Sequence, residues 1–74
     1  MDMTTIEMFQ ELARSRSLRQ TAEAMGVSPT AVTRQLDKLE REFGTPLVER
    51  TPRGVRLTVA GEVIATKSRD VARE

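Results

Sequence analysis

Thr33 and Arg34 sit one turn into a segment that opens Ser28-Pro29-Thr30, and Arg53 stands between Pro52 and Gly54. Hydroxyls and guanidinium groups at such places suit hydrogen bonds to base edges and phosphates. An Arg fork takes guanine O6 and N7 together, or grips a phosphate. Little other chemistry is open to the chain. It has no His and no Cys, which removes imidazole acid–base catalysis, thiolate nucleophiles, disulfides and thiolate metal sites. Catalysis would need a carboxylate pair in a cleft, and no credible pair is present, so an enzyme is the most remote reading. No cofactor and no metal are expected. With two Phe and neither Trp nor Tyr, the chain also lacks a platform for stacking single-stranded bases.

The elements that must position these groups follow from periodicity. Ile6, Phe9, Leu12 and Ala13 recur at helical spacing, with Thr4 or Thr5 as the expected cap. Ser17-Leu18-Arg19-Gln20 spells a capping box and opens a second helix carrying Leu18, Ala22 and Met25, which Gly26 stops. Ser28-Pro29 is a cap followed by proline at the first helical position. Val32, Leu36, Leu39 and Phe43 make the inward stripe of that third helix, and Gly44 and Pro46 close it. Beyond Pro46 the period falls to two. Leu47-Val48-Glu49-Arg50 and Val55-Arg56-Leu57 read as strands around a type I turn at Thr51-Pro52-Arg53-Gly54. Thr58 then caps a last helix with Ala60, Val63, Ile64 and Val71 on one side. The expected fold is mainly α, with three helices, a two-stranded hairpin in the place of a wing, and a C-terminal helix.

The 74 residues suit one domain, and the net charge of +1 comes from twelve Lys and Arg against eleven Asp and Glu. Only the distribution of charge is therefore informative. On the third helix Thr30, Arg34, Asp37 and Arg41 lie opposite the apolar stripe, with Thr33 and Lys38 on its flanks. Acids occur there only from Asp37 onward, where a helix entering a groove end-first would be leaving it. Three Arg residues and no acid lie between Arg50 and Leu57, so Arg53 and Arg56 are candidates for a minor groove. Arg14, Arg16 and Arg19 form a second acid-free cluster, of which Arg19 opens the second helix. Acids gather at Glu7 and Glu11 and again at Glu40 and Glu42. Arg50 is expected to pair with Glu40 or Glu42 in a structural role. The plainer alternative is a solvated polar face with solubilising charge in an exposed turn. A helical module that docks on a partner protein is the second functional reading. No apolar run approaches the ~18 residues of a membrane span, and no basic-then-apolar leader opens the chain. A soluble cytoplasmic protein is expected.

The spelling Ser17-Leu18, Thr21-Ala22, Val27-Ser28, Ala31-Val32-Thr33-Arg34-Gln35-Leu36, Leu39-Glu40, Gly44, Pro46-Leu47, Arg50, Val55, Leu57-Thr58 and Ala60-Gly61 resembles the N-terminal domain of LysR-type transcriptional regulators. The likeness runs from about Met8 to Ile64. It implies a winged helix-turn-helix over 1–58 and the start of a linker helix over 59–74. It implies sequence-specific binding of double-stranded promoter DNA, with the third helix in the major groove and the wing in the flanking minor groove. It implies homodimers joined through the last helix, at Ala60, Val63, Ile64 and Val71. The DNA contacts it implies fall on Pro29, Thr30, Thr33, Arg34 and Arg53, to which the residue reading adds Arg19, Ser28, Lys38 and Arg56. Pro29 stands where the family commonly has Gln, which removes a side-chain hydrogen bond to a base. Leu18 and Val48 replace the usual Phe, and Thr33 replaces Ser while keeping the hydroxyl. Family members carry a large C-terminal effector-binding domain, so small-molecule control is expected only through a domain absent from this chain. The end at Glu74 suggests an isolated DNA-binding fragment.

Overall fold

Three helix-ending residues in left-handed backbone set the architecture. In the computed structural model, which describes residues 2–73 with side chains through Ser68, α1 spans Met3–Ser15, α2 Leu18–Met25 and α3 Pro29–Phe43. Arg16, Gly26 and Gly44 follow them at φ 58°, 69° and 68°. After α2, Gly26 N–H donates to Glu23 O and Val27 N–H to Ala22 O, the paired bonds that seal a helix whose next residue turns left-handed. Only Gly26-Val27-Ser28 then separate α2 from α3.

The N-termini are sealed as their spelling predicts, with two differences. Ser17 Oγ accepts from Gln20 N–H at 3.1 Å and Ser28 Oγ from Ala31 N–H at 3.1 Å. The reciprocal half of a capping box is missing at α2, because Ser17 N–H donates to Ser15 Oγ instead. The cap of α1 is Asp2, whose carboxylate accepts from Thr5 N–H at 2.8 Å, rather than Thr4 or Thr5. A carboxylate at a helix start gains from the positive end of the dipole as well as from the bond. That bond holds the Asp2 carboxyl below its ordinary value.

After α3 come β1 (Val48–Thr51) and β2 (Gly54–Leu57), paired antiparallel with Val48 opposite Leu57, Glu49 opposite Arg56, Arg50 opposite Val55 and Thr51 opposite Gly54. The loop is Pro52-Arg53. Arg53 has negative φ, which rules out a type II turn and agrees with the type I reading. The last helix, α4, spans Val59–Arg73. Thr58 Oγ1 accepts from Gly61 N–H at 3.1 Å and donates to Pro46 O at 2.8 Å, so one hydroxyl both caps α4 and ties it to the start of the hairpin. Gly61 is required by proximity: a Cβ there would lie 2.1 Å from Leu47 O.

One core joins these pieces: Met8, Phe9, Leu12, Ala22, Val32, Leu36, Leu39, Leu47, Val55 and Leu57 are buried, with Leu18, Met25, Ala60 and Ile64 packed against them. The hairpin is stable as part of this core, since Val55 and Leu57 supply its apolar face. Two expectations are corrected. Phe43 has the angular phase of the α3 stripe but is 45% exposed. The helix end reaches the rim of the domain, and the fully buried Leu47 closes the core after the Gly44 turn. The α4 stripe divides. Ala60 and Ile64 fold back onto the core, whereas Val59 and Val63 stay exposed; the Val71 side chain lies outside the described residues.

Candidate nucleic-acid interface

The first turn of α3 projects from the core on a short, closed turn. Pro29, Thr30 and Arg34 are exposed and Thr33 is half-buried, while Val32 between them is anchored in the core. Proline contributes no N–H, Ala31 N–H is taken by Ser28 Oγ, and Val32 N–H donates to Ser28 O. The Thr30 amide is thus the first-turn donor without a partner among the described residues. It stands beside the Thr30 hydroxyl at the positive end of the helix dipole, the arrangement that suits a phosphate. Ser28 lies at the same edge; its hydroxyl oxygen accepts from Ala31 N–H as the cap, and its proton remains to be donated to a phosphate. Lys38 is exposed one turn beyond Arg34, next to Asp37 and on the way out of the face.

The wing offers a narrower surface. Arg53 is exposed at the tip, its N–H held by Thr51 Oγ1 at 3.3 Å and its guanidinium unpaired among the described residues. Arg56 is not so placed. It faces Glu49 across the hairpin and donates to the Glu49 carboxylate at 2.6 Å. The acid-free run in the sequence therefore acquires an acid from the opposite strand.

The cluster Arg14, Arg16 and Arg19 is neutralised in the same way. Arg14 pairs with Glu11 on α1, Arg16 with Glu62 on α4 at 3.4 Å, and Arg19 with Glu23 on α2 at 3.6 Å. The contact with Glu11 raises the Arg14 pKa further above its ordinary value. Arg19 keeps its place at the start of α2, with part of its charge answered. Exposed pairs of this kind are worth about 0–1 kcal/mol each. Their importance is electrostatic: they remove cations from competition for an anionic partner.

Arg50 differs from its expected role. Glu40 spends its carboxylate on the amides of Leu47 and Val48, at 2.7 and 3.3 Å, and so closes the turn after α3. Arg50 makes no ion pair among the described residues and is exposed. Because it stands opposite the buried Val55, its side chain leaves the hairpin on the core-facing side. Sequence reasoning gave this cation a structural role, as a partner of Glu40 or Glu42 rather than of DNA. The competing use of Glu40 by backbone amides could not be read there.

Among the described residues, the cations without an ion pair are Arg34, Lys38 and Arg41 on α3, Arg50 and Arg53 on the hairpin and Lys67 on α4, so all but one belong to the second helix of a turn-connected pair and the β-ribbon that follows it. Fold and site together define a winged helix-turn-helix protein. A family model described as bacterial regulatory helix-turn-helix protein, lysR family, matches residues 3–62, and this chain belongs to that family. Among its relatives are the transcriptional regulator BudR of Klebsiella aerogenes, 42% identical over 84% of this chain and 43% of that protein. The transcriptional activator IlvY of Salmonella typhimurium is 45% identical over 84% of this chain and 21% of that protein. The chain therefore spans under half the length of these relatives. The crystal structure of the CbnR DNA-binding domain in complex with DNA superposes with TM-score 0.92 at 30% identity, covering 99% of this chain and 84% of that one. Vibrio fischeri DarR in complex with DNA gives 0.90 at 27% identity, over 99% of this chain and 25% of that one.

Proposed function

We propose that this chain is the double-stranded DNA-binding part of a transcriptional regulator, with α3 in the major groove and the hairpin tip in the flanking minor groove. The observation that carries this reading is the sorting of charge by pairing. Arg14, Arg16, Arg19 and Arg56 each have an acidic partner, whereas Arg34, Lys38 and Arg41 on α3 and Arg50 and Arg53 on the hairpin are exposed without one among the described residues, as is Lys67 on α4. The likeness to DNA-bound CbnR and DarR supports it.

Arg34 reads a base edge or grips a phosphate, Thr30 and Thr33 make short hydroxyl contacts, and Pro29 lets the helix start approach closely. Ser28 and Lys38 flank this core on the backbone side, together with Arg19. Arg53 enters the minor groove, where a narrow A·T tract concentrates negative potential. Arg56 is a secondary contact while Glu49 holds it, and Arg50 joins the set as a backbone contact. Residues 1–58 form the DNA-binding unit and 59–74 begin a linker helix. We assign a homodimer contact to α4, where Val59 is 84% and Val63 51% exposed. Exposed apolar side chains grouped on one helix favour association. Such a regulator works in the cytoplasm and is no enzyme, and small-molecule control belongs to a domain outside this chain.

The test is to select duplexes from a random pool and titrate the best with salt. Phosphate contacts make log affinity fall linearly with log salt. Arg34→Ala is expected to cost about 1–3 kcal/mol on the selected site and to leave the fold intact. Failure to enrich any sequence, with binding indifferent to salt, would favour the protein-docking reading instead.

A further inference from the structure

Among the described residues, Arg16 is the one with a side chain that adopts positive φ, at 58°. Glycine takes this backbone without penalty, whereas a Cβ there crowds the following carbonyl. Four polar groups of Arg16 have partners, and these lie on three different elements. Its N–H donates to Leu12 O at 2.8 Å and its Nε to Ala13 O at 2.7 Å, both at the end of α1. Its second guanidinium nitrogen reaches Glu62 on α4 at 3.4 Å. Its carbonyl accepts from Val55 N–H, in the hairpin, at 3.0 Å. The contact with the hairpin is so close that a Cβ on Gly54 would lie 2.2 Å from that oxygen. Around this joint Ser15, Ser17 and Thr21 hydrogen-bond to one another, which accounts for the complete burial of Thr21.

The guanidinium bond to Ala13 O lies on the helix's negative end, where a cation is favoured. It anchors the side chain against α1, and the left-handed backbone then aims the carbonyl at Val55. The exposed Glu62 pair is the weaker arm. We infer that Arg16 is a positioning residue: its side chain fixes the left-handed joint that docks the wing, and so sets where Arg53 lies relative to α3. This rests on the DNA reading only for its consequence in binding.

Arg16→Gly is the informative change, because glycine keeps the backbone conformation and removes only the side chain. In the free chain, Val55 N–H in Arg16→Gly is expected to exchange with solvent roughly tenfold faster, while the amides of Leu12 and Leu36 are unchanged. On a selected duplex, Arg16→Gly and Arg53→Ala are each expected to weaken binding roughly tenfold, and the double variant no more than either alone. Unchanged Val55 exchange would overturn the inference. So would a uniform rise across Leu12, Leu36 and Val55, since that reports lost global stability rather than a loosened joint. Additive losses in the double variant would also overturn it. If the parent chain binds no duplex, the DNA reading fails and the exchange comparison still decides the role of Arg16.

Discussion

Gly54→Ala tests the docking of the wing most sharply. Gly54 has φ 139°, and a Cβ there would stand 2.2 Å from Arg16 O and 3.4 Å from its carbonyl carbon. No side-chain rotation relieves this contact, because both partners are backbone. A non-glycine residue in such a conformation costs about 1–3 kcal/mol. Moving the strand away breaks the 3.0 Å bond from Val55 N–H to Arg16 O, for about 1 kcal/mol more. The total, roughly 2–4 kcal/mol, far exceeds the ~0.5 kcal/mol of an ordinary surface change. Urea unfolding at fixed temperature measures it, with the slope unchanged if the transition remains two-state. A loss below about 1 kcal/mol would mean that the hairpin yields freely and the Arg16 joint holds nothing.

Other substitutions probe charge, burial and capping. Glu49→Gln frees the Arg56 guanidinium from its 2.6 Å partner, so duplex affinity should rise and the salt dependence steepen by up to about one unit of slope; an unchanged slope places Arg56 away from the DNA. Leu39→Ala should cost about 2–5 kcal/mol, because its side chain is buried, whereas Phe43→Ala should cost less than about 1 kcal/mol at the exposed helix end. Comparable losses at the two positions would refute the placement of the core. The Asp2 cap stabilises above the ordinary carboxyl pKa of 3.8, and this contribution is lost as pH falls through the lower folded-state value. Asp2→Asn should abolish that part of the acid dependence, and thermal unfolding across the acid range would reveal it.

Signals spanning a few residues were legible in the chain. Ser17, Ser28, Gly26, Gly44 and Thr58 start or stop helices where their spelling says, because a cap is settled between neighbours. The hairpin followed from the change of period and from Pro52 and Gly54. What sequence reasoning missed depends on elements meeting in space. Arg16 and Glu62 are 46 residues apart, so that pair exists only on folding, whereas Glu11–Arg14 and Arg19–Glu23 are neighbours on one helix face that the reading of the Arg14–Arg19 cluster overlooked. Glu40 looked available to Arg50, yet two backbone amides after α3 claim it. Phe43 has the right phase, but phase does not say where a core ends. The candidate contacts on α3 were readable because a helix face is a local property. The choice between Arg53 and Arg56 on the wing was not, because it turns on Glu49 lying opposite Arg56.

The most direct measurement of the central claim is residue-resolved amide shift mapping while a selected duplex is added to the isotope-labelled chain. The account predicts the largest changes at Thr30, Thr33 and Arg34 on α3 and at Arg53 and Gly54 in the wing. These changes should diminish together as salt is raised, in step with the loss of affinity. Changes confined to α1 and to Val59 and Val63 on α4, with α3 and the wing silent, would contradict it.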